Sequence, residues 1–243
     1  MTHDVSHSVS HGVSMTAIPD LSGRYDLYGA IHKGLRKAGC DMLCRIGSTD
    51  FENPDEAETV LGNLRSFIVF AASHVMHEDE HIHGVLRARG ASTTTIEDQH
   101  DDHRAAFATL EKLASDIEKA WPMHKQAAGR KLYLAFAAYL AEDLAHMHEE
   151  ETVTAPELWR ICTDEELATI EMHIVASMSP EKNMAFLRLM VPAMNPAERA
   201  AMLSAMQQNT PPEIFCAIIE FAVRPSLSEK AFSDLSDRIA LAA

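Results

Sequence analysis

At 243 residues the chain is long enough for one large domain, or a domain with an appendage, and it holds only 10 glycines and 10 prolines against abundant Ala, Leu, Met and Glu. That balance favours helices, and no alternating strand pattern competes with it. The formal charge of −15 opposes nucleic acid and anionic membranes as partners, because both would repel an acidic surface. No apolar run approaches the ~20 residues that span a bilayer and no hydrophobic signal region opens the chain, so a cytoplasmic protein is expected. The four cysteines, Cys40, Cys44, Cys162 and Cys216, make neither a disulfide framework nor a C-x-x-C zinc pair. Cys40 and Cys44, one turn apart, are read as buried small residues, the commoner use of free cysteine, over a redox pair or soft ligands.

Residues 1–20 read as a flexible tail whose His3, His7 and His11 sit among serines. A first helix is expected over 25–46, with the apolar stripe Tyr28, Ile31, Leu35, Ala38, Met42, Leu43, Ile46 and with His32 inside it. The second starts near Glu56 and carries Leu61, Leu64, Ile68, Ala71, His74, Glu78, Ile82 and Val85 in steps of three and four, until Gly90 closes it. The third holds Ile96, His100, His103, Phe107, Leu110, Ala114, Ile117 and Trp121 on one seam. The fourth, from about Gln126, repeats the pattern with Leu132, Phe136, Tyr139, Asp143, His146, Glu150 and Val153. Four long amphipathic helices joined by short loops predict an antiparallel up-down four-helix bundle over 21–160.

After Trp159 the segments shorten. Thr163-x-x-Glu166, Asn195-x-x-Glu198, Thr210-x-x-Glu213 and Ser226-x-x-Glu229 are helix-start signatures, a capping side chain followed three residues later by a glutamate. They predict a C-terminal appendage of four or five short helices over 161–243, Met-rich and packed on the bundle or on itself. The fold class is therefore all-α. Nothing in the appendage looks catalytic; it offers a surface for a homo-oligomer or a protein partner.

The seams break their own apolar pattern at His32, His74, Glu78, His100, His103, Asp143, His146 and Glu150. Four-residue spacing puts His74 with Glu78, and His146 with Glu150, on one face of their helices. At ~1.5 Å per residue the four helices bring His32, His74, His100 and His146 to a common layer. A dry core tolerates such groups only when something compensates their lost hydration, and a metal does so. Imidazole with carboxylate suits iron or manganese, and zinc binds the same donors.

In this order the residues resemble the hemerythrin-like (HHE cation-binding) family: His32 on the first helix, His74-x-x-x-Glu78 on the second, His100 on the third, His146-x-x-x-Glu150 on the fourth. The resemblance spans roughly 25–160 and implies a four-helix bundle around two non-haem iron ions held by those six residues. Respiratory members carry a further third-helix histidine where this chain has Ile96, and a longer fourth-helix spacing ending in Asp. The chain is therefore similar to the bacterial branch with four His and two Glu, which leaves coordination positions open. That branch implies a soluble di-iron protein binding O2, NO or peroxide in sensing, storage or detoxification. Peroxide turnover or repair of iron–sulfur or nitrosylated centres is the enzymatic alternative, the repair reading being weakened by a tail without cysteine. A regulatory module whose metal site switches the C-terminal helices is the third. His103 is expected as a further ligand, a distal hydrogen-bonder or a solvated imidazole. Asp143 is expected as an anchor for the far nitrogen of His146 or as an exposed carboxylate. His77 and His81, another four-apart pair, are read as flanking surface positions rather than a second metal site, His83, His148 and His173 as surface or packing residues, and Tyr28 and Tyr139 as core residues or as lining an access route.

Overall fold

The computed structural model describes residues 18–21 and 23–240. The expected tail, with His3, His7 and His11, lies outside the described residues except for its last three positions. Four long helices form the bundle: α1 (Gly29–Ser48), α2 (Pro54–His77), α4 (Thr94–Lys119) and α5 (Pro122–Glu149). Each packs on the next in chain order, and α5 closes the ring against α1. Among the described residues there is no strand.

Local chemistry explains the boundaries. The Asn53 side chain accepts from the Asp55 backbone N–H and Pro54 takes the first helical position, so α2 begins where one free N–H is capped and another is missing. The second helix does not stop at His77: a π-helical turn, Glu78–His83, links it to α3 (Gly84–Ala88). Gly90, at φ 81°, then turns the chain in the left-handed region that side chains avoid. The fourth bundle helix does the same, running through a second π turn, Glu150–Thr154, into α6 (Ala155–Ile161). The extra residue of such a turn rotates everything after it, and Val153, expected on the seam, is 59 % exposed. Trp121 also leaves its expected seam, for α4 ends before it and its ring is in water.

Taken as one stretch, Pro54–Ala88 is long and apolar enough to cross a membrane by length and composition, contrary to the expectation from the sequence. Here its apolar residues are core: Leu61, Leu64, Phe67 and Ala71 face Met42, Phe107, Leu110, Leu132 and Phe136 in the cluster that fills the middle of the bundle. A second cluster, with Tyr28, Ile82, Leu86, Ile96, Ala155 and Leu158, closes one end. Cys40 and Cys44 lie on the outer, exposed face of α1 and not in the core as expected; Cys162 is the buried one.

The appendage comprises α7 (Asp164–Ser177), whose Leu167 and Ile170 join the end cluster, and α8 (Pro180–Met190), α9 (Pro196–Asn209), α10 (Pro212–Ile218) and α11 (Glu229–Ile239) around their own core of Leu187, Val191, Leu203, Phe215 and Ala222. Thr163 and Asn195 make the capping boxes their sequences predict. Ser179 caps α8, a start the sequence reading missed. The starts expected at Thr210 and Ser226 shift by one and two residues: α10 opens at Pro212 without a side-chain cap, and Ser228 caps α11 because residues 224–226 are taken up by a 3-10 turn. The appendage docks on the bundle through α8 against α1. At Gly34 the backbone of Leu189 passes so near that a Cβ would lie 3.2 Å from its carbonyl oxygen.

Candidate metal centre

Between the central and end clusters, the bundle interior turns polar. His32 from α1, His74 with Glu78 at the end of α2, His100 from α4, and His146 with Glu150 at the end of α5 are all buried. They form two four-donor groups, His32/His74/Glu78/Glu150 and Glu78/His100/His146/Glu150, in each of which the donor atoms lie within 4.8 Å of one another. That spread suits atoms bonded to one ion at about 2 Å. Both groups contain Glu78 and Glu150, and both glutamates are the first residue of a π turn.

The donors face each other and satisfy each other only in part, through a 3.3 Å contact between Nε2 of His100 and Nε2 of His146. Nε2 of His32 is 3.3 Å from Glu150 Oε2, Nε2 of His74 is 3.2 Å from Glu78 Oε1, and Nε2 of His100 is 3.4 Å from Glu78 Oε2. Even so, Nε2 of His32 and of His74, and all four carboxylate oxygens of Glu78 and Glu150, lack a hydrogen-bond partner. An unmade hydrogen bond at a buried polar atom costs about 1–3 kcal/mol, and more for a charged one. Six such atoms converging on one point are what a cation would satisfy.

The far side of three of the four rings is anchored instead. Nδ1 of His32 donates to Glu151 Oε1 at 3.0 Å, and Arg36 grips both oxygens of Glu151 at 2.5 and 2.9 Å. Nδ1 of His100 donates to Asp79 Oδ1 at 2.8 Å, and Arg104 donates to the other Asp79 oxygen. Nδ1 of His146 donates to Gln99 Oε1 at 2.7 Å, and Gln99 is oriented by Glu149 at 2.8 Å. Fixing Nδ1–H this way leaves Nε2 as the free donor, the arrangement metal-binding histidines use. The sequence reading missed Asp79, Glu151, Arg36, Arg104 and Gln99. For the first four a signal was present: an acid directly after each seam glutamate, and an arginine four residues after each lone seam histidine.

The electrostatics agree. Burial pulls the His32 imidazole down, but Glu150, Glu151 and Glu78 together hold it well above the ordinary histidine range. Against burial, Glu78 and Asp79 raise His100 to about 9. Burial lowers His74 to about 4 and His146 to about 2. Glu78 is held well below the carboxylate range because, against burial, the surrounding His74, His100 and His32 favour its charge. Glu150 is pushed up to about 7 by burial and then by the charge of Glu78. The protein alone cannot comfortably ionise both carboxylates; a cation between them would remove the conflict.

Other expectations change here. Asp143 is buried, so it is no exposed carboxylate, and it does not anchor His146, because Gln99 has taken that nitrogen. His103 is buried beside the donors, its ring edge-on to His146 with centroids 4.8 Å apart. Tyr28 and Tyr139 are core residues; the Tyr28 hydroxyl lacks a hydrogen-bond partner, and the Tyr139 hydroxyl has Asp143 as its polar neighbour without a well-formed bond to it. His83, expected as a surface or packing residue, is fully buried and stacks on His100 at 4.9 Å. His77 is buried rather than flanking because Phe186 of α8 covers it. His173 is exposed as expected.

A helix bundle carrying two buried His/Glu groups that share their carboxylates defines a cation-binding protein of the all-α class. Residues 24–158 match the model of the hemerythrin HHE cation binding domain, and the chain belongs to that family. It is similar to F-box/LRR-repeat protein 5 from Mus musculus, 26% identical over 186 residues, which cover 76% of this chain and 26% of that protein. The Bos taurus protein of that name is 28% identical over 178 residues, 71% of this chain and 25% of its own length. The chain thus spans about a quarter of the curated relatives it matches.

Proposed function

We propose that this chain is a cytoplasmic, non-haem di-iron protein that binds a small exogenous ligand, O2, NO or peroxide, for sensing, storage or detoxification. One observation carries the reading: there are two four-donor groups and they share Glu78 and Glu150, so the six residues would hold a pair of ions. His32 and His74 would complete one end, His100 and His146 the other. Bound iron supplies Lewis-acid and redox chemistry with positions left open for the ligand; manganese or zinc would use the same donors. The chain's own part is to turn Nε2 of His32, His100 and His146 toward the centre, by anchoring Nδ1 through Glu151, Asp79 and Gln99, and to keep bulk water out with the apolar clusters on either side. Neither nucleic acid nor a membrane enters this reading.

Metal analysis and the optical spectrum of anaerobically reconstituted protein test it. Two irons per chain, with near-ultraviolet charge-transfer bands that shift on adding O2, azide or NO, are the expected result. A colourless protein without iron would refute it.

The packing also favours a second reading, a metal-switched regulatory module acting on a protein partner or a second copy through the C-terminal helices. The appendage grips the elements that carry the donors: α8 lies on α1, Lys33 pairs with Glu198 at 2.5 Å, and α7 packs on the π turn that begins at Glu78. If removing metal leaves the protease pattern of residues 164–239 and the oligomeric state unchanged, this reading fails.

A further inference from the structure

One helical turn from the six donors, toward the middle of the bundle, α4 contributes His103 and α5 contributes Tyr139 and Asp143. The three are only 2, 2 and 7 % exposed. His103 Nδ1 and Asp143 Oδ2 lack a hydrogen-bond partner, and the Tyr139 hydroxyl has Asp143 as its polar neighbour without a well-formed hydrogen bond to it. The groups are neighbours: His103 Nε2 is 4.0 Å from Asp143 Oδ1, and the His103 and Tyr139 ring centroids are 5.7 Å apart. Beneath them Phe67, Phe107 and Phe136 pack around the Tyr139 ring and seal the layer from the rest of the core. In the same layer α1 and α2 hold Leu35 and Ala71, buried and without polar side-chain atoms.

A metal centre needs none of this. Leucine and phenylalanine at the three positions would fill the core without burying unpaired polar atoms, so their presence calls for an occupant that pairs with them. The layer is also two-sided, polar on α4 and α5 and apolar on α1 and α2.

We propose that this layer receives the exogenous ligand and selects a small protic oxygen species, hydrogen peroxide or hydroperoxide, over an aprotic diatomic such as NO. The proposal rests on the reading of a cation centre beside it. A neutral imidazole offers one donor and one acceptor, a carboxylate accepts, and a phenol does either. Hydrogen peroxide has O–H groups and lone pairs to match both kinds; NO has no proton to give, and leaves Asp143 unpaired.

The test uses the iron-loaded full chain and its His103→Leu, Asp143→Leu and Tyr139→Phe variants. Hydrogen peroxide and NO are the probes, each titrated optically with rapid mixing, alongside iron content and the melting temperature of the metal-free proteins. Expected are at least ten-fold weaker peroxide binding in His103→Leu and Asp143→Leu, less than three-fold change for NO, unchanged iron, and a metal-free melting temperature that holds or rises. Should the leucine variants not fold, Tyr139→Phe, which removes a single oxygen, is expected to weaken peroxide several-fold and NO not at all. Equal losses for both probes, unaltered peroxide affinity, or a lowered metal-free melting temperature would overturn the proposal, the last by making the layer a structural network. Wild-type protein that takes up no iron overturns the cation reading and this one with it, a result distinct from iron that loads but binds peroxide without regard to the layer.

Discussion

Asp79 and Glu151 occupy equivalent places in the two halves of the bundle. Each directly follows a glutamate of the centre, each accepts from Nδ1 of a histidine on a neighbouring helix, and each is held by an arginine one turn beyond that histidine. His32 with Arg36 on α1 therefore mirrors His100 with Arg104 on α4. The π turns make this geometry: by starting at Glu78 and Glu150 they rotate the next carboxylate onto the adjacent helix.

Equivalent positions predict equivalent losses. Asp79→Ala and Glu151→Ala should each weaken metal binding about 10–100-fold, the usual cost of removing the partner that orients a metal-binding imidazole. Competition against a chelator of known affinity measures it. A much larger loss for one than the other would break the proposed symmetry.

Stoichiometry separates shared from unshared donors. His74→Ala disrupts one donor group and leaves Glu78, His100, His146 and Glu150 intact, so it should retain one metal ion per chain. Glu150→Ala removes a member of both groups and should retain almost none. Elemental analysis after gel filtration decides between them.

Metal uptake should release protons at neutral pH. In the metal-free chain His32 is held well above the ordinary range and His100 sits at about 9, so both carry a proton at pH 7 that coordination must expel. His74, at about 4, and His146, at about 2, have none to give. Because the free form binds more protons than the loaded form, affinity should fall as pH drops and rise with pH, the His100 share of that rise ending once pH passes about 9. Calorimetry in buffers of different ionisation enthalpy should count about two protons, with a fraction more from Glu150 at about 7.

The contact at Gly34 predicts a stability effect confined to the domain junction. Gly34→Val would push a branched side chain into the Leu189 backbone, where even a Cβ would lie 3.2 Å from the carbonyl oxygen. The expected cost is about 1–3 kcal/mol, the range for overpacking. It should show as faster hydrogen exchange in α8, with the apolar centre of the bundle unchanged.

Much of the centre was legible because helical spacing is local. His74 with Glu78 and His146 with Glu150 share a face whatever the rest of the chain does, and the layer count that grouped them with His32 and His100 needs only the helix rise. Which nitrogen meets which partner was not legible. Gln99, and not Asp143, holds His146 because that choice depends on how α4 is rotated against α5. Cys40 and Cys44 could not be assigned to core or surface by spacing alone, since the rotation of α1 decides it. His77 became buried only when α8 folded back over it.

What the sequence by itself determined is therefore most of the elements, the seam that each bundle helix buries and the eight polar residues on those seams, because these follow from periodicity within single helices. The family resemblance then picked the six donors among the eight. The tertiary structure alone decided the anchors, the polar layer of His103, Tyr139 and Asp143, and the docking of the C-terminal helices. Those depend on the rotation, register and π turns of helices packed together, and the free-energy differences that set them are sums over contacts between residues far apart in the chain.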